Sequence, residues 1–324
     1  MTLLGHSPAS FLSPIASALA AHGPQRVRDL SPDTLRLRLR TDGLPLRLGP
    51  YTVRLRTRLP ELVDLVTHLY AAHALAPDAG FIDVEAEIRS APGPRRWISP
   101  QVHFLRDSAL LFQPQPRNHA PAMMEWGLNW CLSVAIHDVL VLHAAVVARD
   151  DGRAAILPAP PGAGKTTLCA GLVAAGWRLL SDELCLVSLA DGRLLPCPRP
   201  FNLKNRSIDI VRDRFPQAAF GPAVHDTSKG RVQHMAPPDS SVLRSAEPAR
   251  PAWVVFPTWR DGATAAMQPL GRADAFMRLA GNCFNYGILG LAAFEALGRL
   301  TDAATPATFL YSDLDDAVAA FAAL

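Results

Sequence analysis

The sequence predicts an α/β protein: a strand–loop–helix–strand core preceded by a small α+β unit. Three observations carry this. Residues 139–148 and 153–158 are apolar and nearly continuous, as strands buried on both faces are, with Asp150-Asp151-Gly152 as the turn between them. A Gly-containing loop, 159–164, follows at once, and a helix-like run, 166–175, follows the loop. Before residue 115 the texture is different, with period-two alternation broken by Gly and Pro.

In chain order, Leu-Arg-Leu-Arg-Leu-Arg at 35–40 and Tyr-Thr-Val-Arg-Leu-Arg at 51–56 both alternate, and each predicts a half-buried strand. Helical spacing through Leu62, Leu65, Val66 and Leu69 predicts a helix over 61–75, with Pro60 just before it. A strand at 82–89 and a hairpin of 101–105 with 109–112 around Asp107 complete the small unit. The stretch from Gln113 to Pro121 is the best boundary, dividing the chain into 1–118 and 119–324. Beyond it come a helix at 122–136, the two apolar strands, the helix 166–175, and strands at 178–180 and 184–189. A loop-rich stretch (214–250), a strand at 253–257, a helix at about 282–297, a strand at 307–311 and a helix from Asp313 follow.

The 324 residues are 49% hydrophobic and 19% charged, enough chain for a sizeable core. A formal net charge of +3 argues against nucleic acid held by bulk positive charge. Five cysteines, with no C-x-x-C pair and no metal-ligand spacing, fit free thiols in a reducing compartment. No apolar run is long enough to span a bilayer. Phe11–Ala21 has the small-residue texture of a signal peptide but no Lys or Arg before it, so the expected location is the cytoplasm, without membrane attachment. Arginine is the default cation, 29 against only three lysines: Lys165, Lys204 and Lys229. Lysine is a compact point charge and arginine a planar fork, so each lysine is a candidate for a site that needs the compact form.

The strongest motif is Ala159-Pro-Pro-Gly-Ala-Gly-Lys-Thr-Thr167, a phosphate-binding loop with Ala159 in place of the usual first Gly. Pro161, Gly162, Ala163, Gly164, Lys165, Thr166 and Thr167 are its candidate nucleotide-binding residues. The glycines let successive N–H groups turn toward one anion. The helix N-terminus adds partial positive charge. Lys165 is expected on the β- and γ-phosphates and Thr166 on Mg²⁺. Next, Arg178-Leu-Leu-Ser-Asp-Glu183 reads as a short strand ending in two carboxylates. A strand after the loop's helix can return alongside the loop's own strand, which would bring Asp182 and Glu183 to the phosphates. One acid could hold Mg²⁺ and the other accept a proton from an attacking hydroxyl. Lys204 in Pro200-Phe-Asn-Leu-Lys-Asn-Arg206 is a candidate for a phosphate or an acidic substrate group. His225–His234 reads as a polar loop that can close on an anion, with Lys229 and Arg231 as its candidates. His143 lies in an apolar strand close in sequence to the loop, and both a structural and a functional role are open to it.

Together these residues resemble the catalytic domain of the bacterial HPr kinase/phosphorylase family, and more closely the group termed HprK-related kinase A. The series is Leu142-His143, then Gly162-Ala-Gly-Lys-Thr166, then Gly176-Trp-Arg-Leu-Leu-Ser-Asp-Glu183, then Arg199-Pro-Phe-Asn-Leu-Lys-Asn205. The related kinases share Glu125-Trp-Gly-Leu-Asn-Trp130 and Asn282-Cys-Phe-Asn-Tyr286. The resemblance covers about 139–212 for the parent family and nearly the whole chain for the related group. It implies a core fold like that of phosphoenolpyruvate carboxykinase, and transfer of the ATP γ-phosphoryl group to a serine-type hydroxyl on a protein or peptide. It places Asp182 and Glu183 in the acidic pair, Glu183 as the base, and His143 as the active-site histidine. The pair is Asp-Glu here where the family has Asp-Asp. The family's second metal ligand, from a Glu-x-Arg-Gly stretch, is matched by Asn202, a neutral ligand. The glycine-rich substrate signature is absent, so dephosphorylation, hexamer assembly and HPr as substrate are not implied. Some relatives act on ribosomally made peptides, and a homo-oligomer is compatible with the family.

The sequence thus gives an ATP- and Mg²⁺-dependent kinase as the first expectation. Two alternatives stand beside it: a nucleotide-binding regulatory or scaffold module without phosphotransfer, and a small-molecule kinase.

Overall fold

In the computed structural model, which describes residues 23–160 and 162–324, Pro32–Arg40 is a helix, α1, and not the strand that its alternation predicts. Capping chemistry decides this. The Ser31 hydroxyl accepts from the Thr34 amide at 3.2 Å, and Pro32 fills the first helical position, where its missing N–H costs nothing. Leu35 and Leu39, four residues apart, then share the buried face, while Leu37 is 62% exposed. The apolar stretch noted at 11–21 lies outside the described residues.

The rest of the small unit is a mixed six-stranded sheet. Its strands are β1 (Leu44–Leu48), β2 (Tyr51–Thr57), β3 (Val84–Ser90), β4 (Gln101–Arg106), β5 (Ala109–Leu110) and β6 (Gln115–Pro116). Helix α2 (Pro60–Leu69) connects β2 to its parallel neighbour β3 and is shorter than its predicted span to 75. Helix α3 (Ala120–Ala135) packs on this sheet at Gly127, where an added Cβ would lie 2.1 Å from Phe104. One hydrophobic cluster joins β1–β4, α2 and α3 to Val139, Val141, Leu184 and Leu186 of the second sheet, so it runs across position 118.

That second sheet is also mixed. It contains β7 (Val139–Ala148), β8 (Arg153–Pro158), β9 (Arg178–Ser181), β10 (Leu184–Ser188), β11 (Leu194–Leu195), β15 (Arg250–Trp259), β16 (Ala266–Pro269) and β17 (Thr305–Tyr311), in the order β11-β10-β7-β8-β15-β17-β16. Strands β8, β15 and β17 are parallel. Both faces are covered, which is why β7 and β8 are apolar apart from His143 and the exposed Arg153. On one face lie α4 (Lys165–Ala174) and α10 (Leu314–Ala322), on the other α7 (Arg272–Ala280) and α9 (Leu291–Ala303).

The stretch predicted to be loop-rich, 214–250, holds two strands of a third sheet, β13 (Val224–Thr227) and β14 (Gly230–Met235). They join β12 (Phe201–Lys204) in the order β12-β14-β13. Helix α5 (Arg206–Arg214) leads into this stretch, and the short helix α6 (Asp239–Leu243) lies within it. The helix predicted at 282–297 is instead a turn at 282–285, a four-residue helix α8 (Tyr286–Leu289), a break at Gly290 with φ +56°, and α9. The cause is Asn285. Its amide donates to the carbonyls of Ile136 and Val139 and accepts from the Val141 amide, bonds that hold it against β7 and outside any helix.

His73 joins the small unit to the segment before β12. It is buried, and its Nε2–H donates to the Pro198 carbonyl at 3.0 Å. Burial lowers its pKa to about 4. The unfolded chain binds a proton on this group near pH 6.5 and the folded chain only near 4, so stability falls as pH falls through that window. The loss from pH 7 to pH 4.5 should be about 2 to 3 kcal/mol from this group alone. In His73→Gln, urea denaturation at the two pH values should show a loss smaller by about that amount. An unchanged difference would mean that His73 is not held neutral.

Candidate functional site

The loop 159–164 leaves β8 and turns into α4 through two glycines in the left-handed region, Gly162 at φ +88° and Gly164 at φ +85°. Gly164 is required twice over, because a Cβ there would also lie 2.3 Å from the Tyr311 hydroxyl. That hydroxyl donates to the Gly164 carbonyl at 3.0 Å, and the Trp259 amide donates to the Ala163 carbonyl at 3.1 Å. The loop is therefore held by the ends of the two strands parallel to its own, β15 and β17. Lys165 begins α4 with its side chain 8% exposed. Pro161 lies outside the described residues.

The acidic pair reaches this loop by a different route from the one predicted. Strand β9 does not return beside β8; it pairs with β7, which lies between them. Both β9 and β10 run antiparallel to β7, and the ladder is interrupted between them at Asp182 and Glu183. The Ser181 hydroxyl accepts from the amides of Glu183 and Leu184 and holds the interruption open. The register pairs His143 with Leu184, so His143 lies beside Glu183.

Four groups converge on the acids. His143 Nε2 lies 3.2 Å from Glu183 Oε2, and Lys165 Nζ lies 3.8 Å from the same oxygen. Asn202, on β12, bridges the pair, its amide N–H donating to Asp182 Oδ2 at 3.2 Å and its Nδ2 to Glu183 Oε1 at 3.3 Å. The two carboxyls respond oppositely. Burial and the Glu183 charge push Asp182 above its ordinary range. Burial also works against the charge of Glu183, but the His143 contact and the positive charges of Lys165 and Lys204 outweigh it and hold its pKa below the ordinary range.

These groups line one cavity of about 660 Å³. Of the sequence candidates, Gly162, Gly164, Lys165, Thr166 and Thr167 line the loop side, and His143, Asp182, Glu183, Asn202, Lys204 and Lys229 complete it. All three lysines of the chain thus meet in one cavity. Ala163 is not in the lining. The predicted closing loop is a hairpin, β13–β14, with Lys229 in its tight turn. Arg231 stays outside the cavity, paired with Asp209 at 2.6 Å.

Among the described residues eight buried side-chain polar atoms have no hydrogen-bond partner; His73 Nδ1 and Arg178 Nε lie elsewhere, and the other six gather here. Lys165 Nζ, Asp182 Oδ1 and Asn202 Oδ1 are unpartnered, as are Trp126 Nε1, Arg199 Nε and His234 Nε2, and all six residues line the cavity. Buried polar groups are ordinarily paired, so such a cluster marks a ligand's place. The residues present fit Mg²⁺ with a nucleotide. Two uncommitted oxygens, on Asp182 and Asn202, and the Thr166 hydroxyl suit a hard cation that keeps waters and phosphate oxygens. Among the described residues no group of three or more His, Cys, Asp or Glu could hold a metal by itself, and Mg²⁺ beside phosphates needs none.

Sequence reasoning missed Arg199, Glu125, Trp126 and His234 as members of the site. Arg199 donates to the Glu125 carboxylate at 3.0 Å, to the Glu125 carbonyl and to Asn129, while the Tyr70 hydroxyl donates to Glu125 at 2.7 Å. A signal was present: Glu125 is the only charged residue in α3. Burial pushes the Glu125 carboxyl above its ordinary range even beside Arg199.

No protein-family model matches the chain, and no curated protein matches it.

Breaking a buried pair leaves a charge without its partner, at a cost of about 3 to 5 kcal/mol. Glu125→Gln should cost that much in urea denaturation, because Arg199 cannot give up its charge. Arg199→Met should cost less, because Glu125 can take up a proton instead. The reverse order would show that Glu125 is not the charge on which the pair depends.

Proposed function

We propose that the chain is an ATP- and Mg²⁺-dependent kinase of the HPr-kinase-like type that transfers the γ-phosphoryl group to a serine-type hydroxyl of a protein or peptide. The observation that carries this reading is the meeting of a cation, Lys165, and two uncommitted oxygens, on Asp182 and Asn202, with the His143–Glu183 pair at the mouth of the loop. A module that only binds nucleotide has no use for a carboxylate fixed by an imidazole beside the phosphates. The match of the motif series to a phosphoenolpyruvate carboxykinase-like core belongs to the same proposal.

In this reading the amides of the loop and the α4 N-terminus hold the nucleotide's phosphates, with Lys165 on the β- and γ-oxygens. Thr166, Asp182 and Asn202 hold Mg²⁺, which supplies positive charge at the transferring phosphoryl group when bound. Asp182 is suited to that role, since its buried oxygen favours a proton only until a cation replaces it. Glu183, kept ionised and oriented by His143 and Asn202, accepts the hydroxyl proton of the acceptor. The acceptor oxygen bonds to the γ-phosphorus, the bond from that phosphorus to the β–γ bridging oxygen breaks, and ADP leaves. A base of low proton affinity suffices where the transition state is loose and most of the hydroxyl proton's transfer is late. Lys204 neutralises charge on the transferring group.

The test is phosphate transfer from γ-labelled ATP with Mg²⁺, using the purified protein and a lysate of its native host. Lys165→Ala and Asp182→Asn should each lower labelling at least about a hundredfold with unchanged circular dichroism. Labelling at the wild-type rate by either variant would refute the assignment. Tight Lys165-dependent ATP binding without any labelled product would favour the regulatory module.

A further inference from the structure

The cavity continues past the acids into a half that phosphates and Mg²⁺ do not account for. Its wall is built by α3, the segment before β12, and the β13–β14 turn. Three side chains there have a buried nitrogen with no hydrogen-bond partner: Trp126 Nε1, Arg199 Nε and His234 Nε2. The side chains of Arg199 and His234 are themselves at least nine-tenths buried. The indole and guanidinium nitrogens can only donate, so they call for an acceptor.

The charge on this side has the matching sign. The Lys229 ammonium sits 5.4 Å from the Trp126 ring centroid and, among the described residues, makes no ion pair within 4 Å, the Glu183 charge acting on it only from farther off. Partial burial and the neighbouring Lys204 charge weaken its hold on its proton, a repulsion that a nearby anion would relieve. Burial, and then the positive charges of Arg199 and Lys204, lower the pKa of His234 to about 3. Glu125, the carboxylate in this wall, is already taken up by Arg199 and Tyr70. Two indoles, Trp126 and Trp130, offer apolar surface for a carbon skeleton beside these donors.

We propose that this half of the cavity is a carboxylate-binding subsite for the phosphoryl acceptor, with Trp126 Nε1–H, Arg199 Nε–H and Lys229 as its donors. The acceptor is a hydroxyl compound that carries a carboxylate a few bonds from the hydroxyl. Either a free hydroxy acid or an acidic group beside the acceptor serine of a polypeptide supplies that chemistry. The inference rests on the phosphotransfer reading above and narrows its substrate. A single carboxylate matches the one uncompensated ammonium, Lys229, left once Lys165 and Lys204 serve the nucleotide's phosphates.

The experiment separates the labelled products of the wild-type reaction into small molecules and polypeptides and identifies the phosphorylated position in each. A labelled hydroxy acid, or a labelled serine with a carboxylate on the same or the adjacent residue, is the expected result. Trp126→Phe keeps the ring and removes the donor. It should raise the KM for that acceptor about tenfold while the Kd for ATP stays within twofold. Lys229→Gln, at an exposed turn, should raise the same KM. A labelled acceptor without a nearby carboxylate, or an acceptor KM unmoved by both variants, overturns the subsite and leaves the kinase reading standing. No labelled product from the wild type overturns both.

Discussion

Asp182 and Glu183 are consecutive, both are withdrawn from solvent, and both stand at a gap in a strand ladder. Two carboxylates in that position repel each other and lose their hydration, so the surrounding chain must treat them differently. Glu183 receives His143, Lys165 and the Asn202 amide and stays ionised. Asp182 receives one backbone N–H and keeps an oxygen without a partner. The division follows from topology. The interruption between β9 and β10 points both side chains into the cavity, β7 supplies His143 from the strand alongside, and β12 brings Asn202 across the front. Without the gap, one of the two side chains would point to the opposite face of the sheet.

The small N-terminal unit takes part in this arrangement through its packing. Residues 196–200, which lead into β12, run against it. The Cys197 thiol approaches the Leu48 carbonyl at 3.6 Å, His73 holds Pro198, and Tyr70 completes the Glu125–Arg199 pair. Gly49 is needed for the same closeness, since a Cβ there would lie 2.1 Å from the Pro196 carbonyl oxygen. The strand that carries Asn202 and Lys204 therefore has its origin fixed by a unit that contributes no lining residue to the cavity.

The α/β core and its loop were legible because their signals are local. Two apolar strands, a Gly-rich turn and a helix follow one another without interruption, and each predicted boundary lies close to the observed one. The failures have physical causes. At 35–40 a Ser-Pro cap overrode period two, and the same three leucines fit either structure. At 282–290 the buried Asn285 side chain replaced the helix's own hydrogen bonds, a long-range event that helical spacing does not register even though Asn285 stands in the motif Asn282–Tyr286. The placement of β9 beside β7 depends on which neighbour a strand chooses, and sequence order does not fix that choice. Arg199 stands in the motif Arg199–Asn205 and His234 ends the polar loop, but nothing in their local sequence assigns either to the site until α3 and β14 are folded against each other. Lysine scarcity singles out Lys204 and Lys229, and both line the cavity, whereas Arg231, a candidate from the same polar loop as Lys229, lies outside the lining and pairs with Asp209.

The convergence of the three lysines has a physical logic in a chain that otherwise uses arginine. Arg199 is held in place by three donor contacts to Glu125 and Asn129 at fixed angles, work that a planar fork does and an ammonium cannot. Around the cavity the demand is different. Lys165 lies within 4 Å of Glu183 and still has no hydrogen-bond partner, and Lys204 and Lys229 share the charge of the same Glu183 without a close ion pair of their own among the described residues. A guanidinium in those places would spread its charge over a wider plane and would compete with Asn202 for both carboxylates. A compact ammonium with rotatable donors leaves the oxygens of Asp182 and Asn202 uncommitted, and those oxygens are what make the cavity able to hold a cation together with an anion.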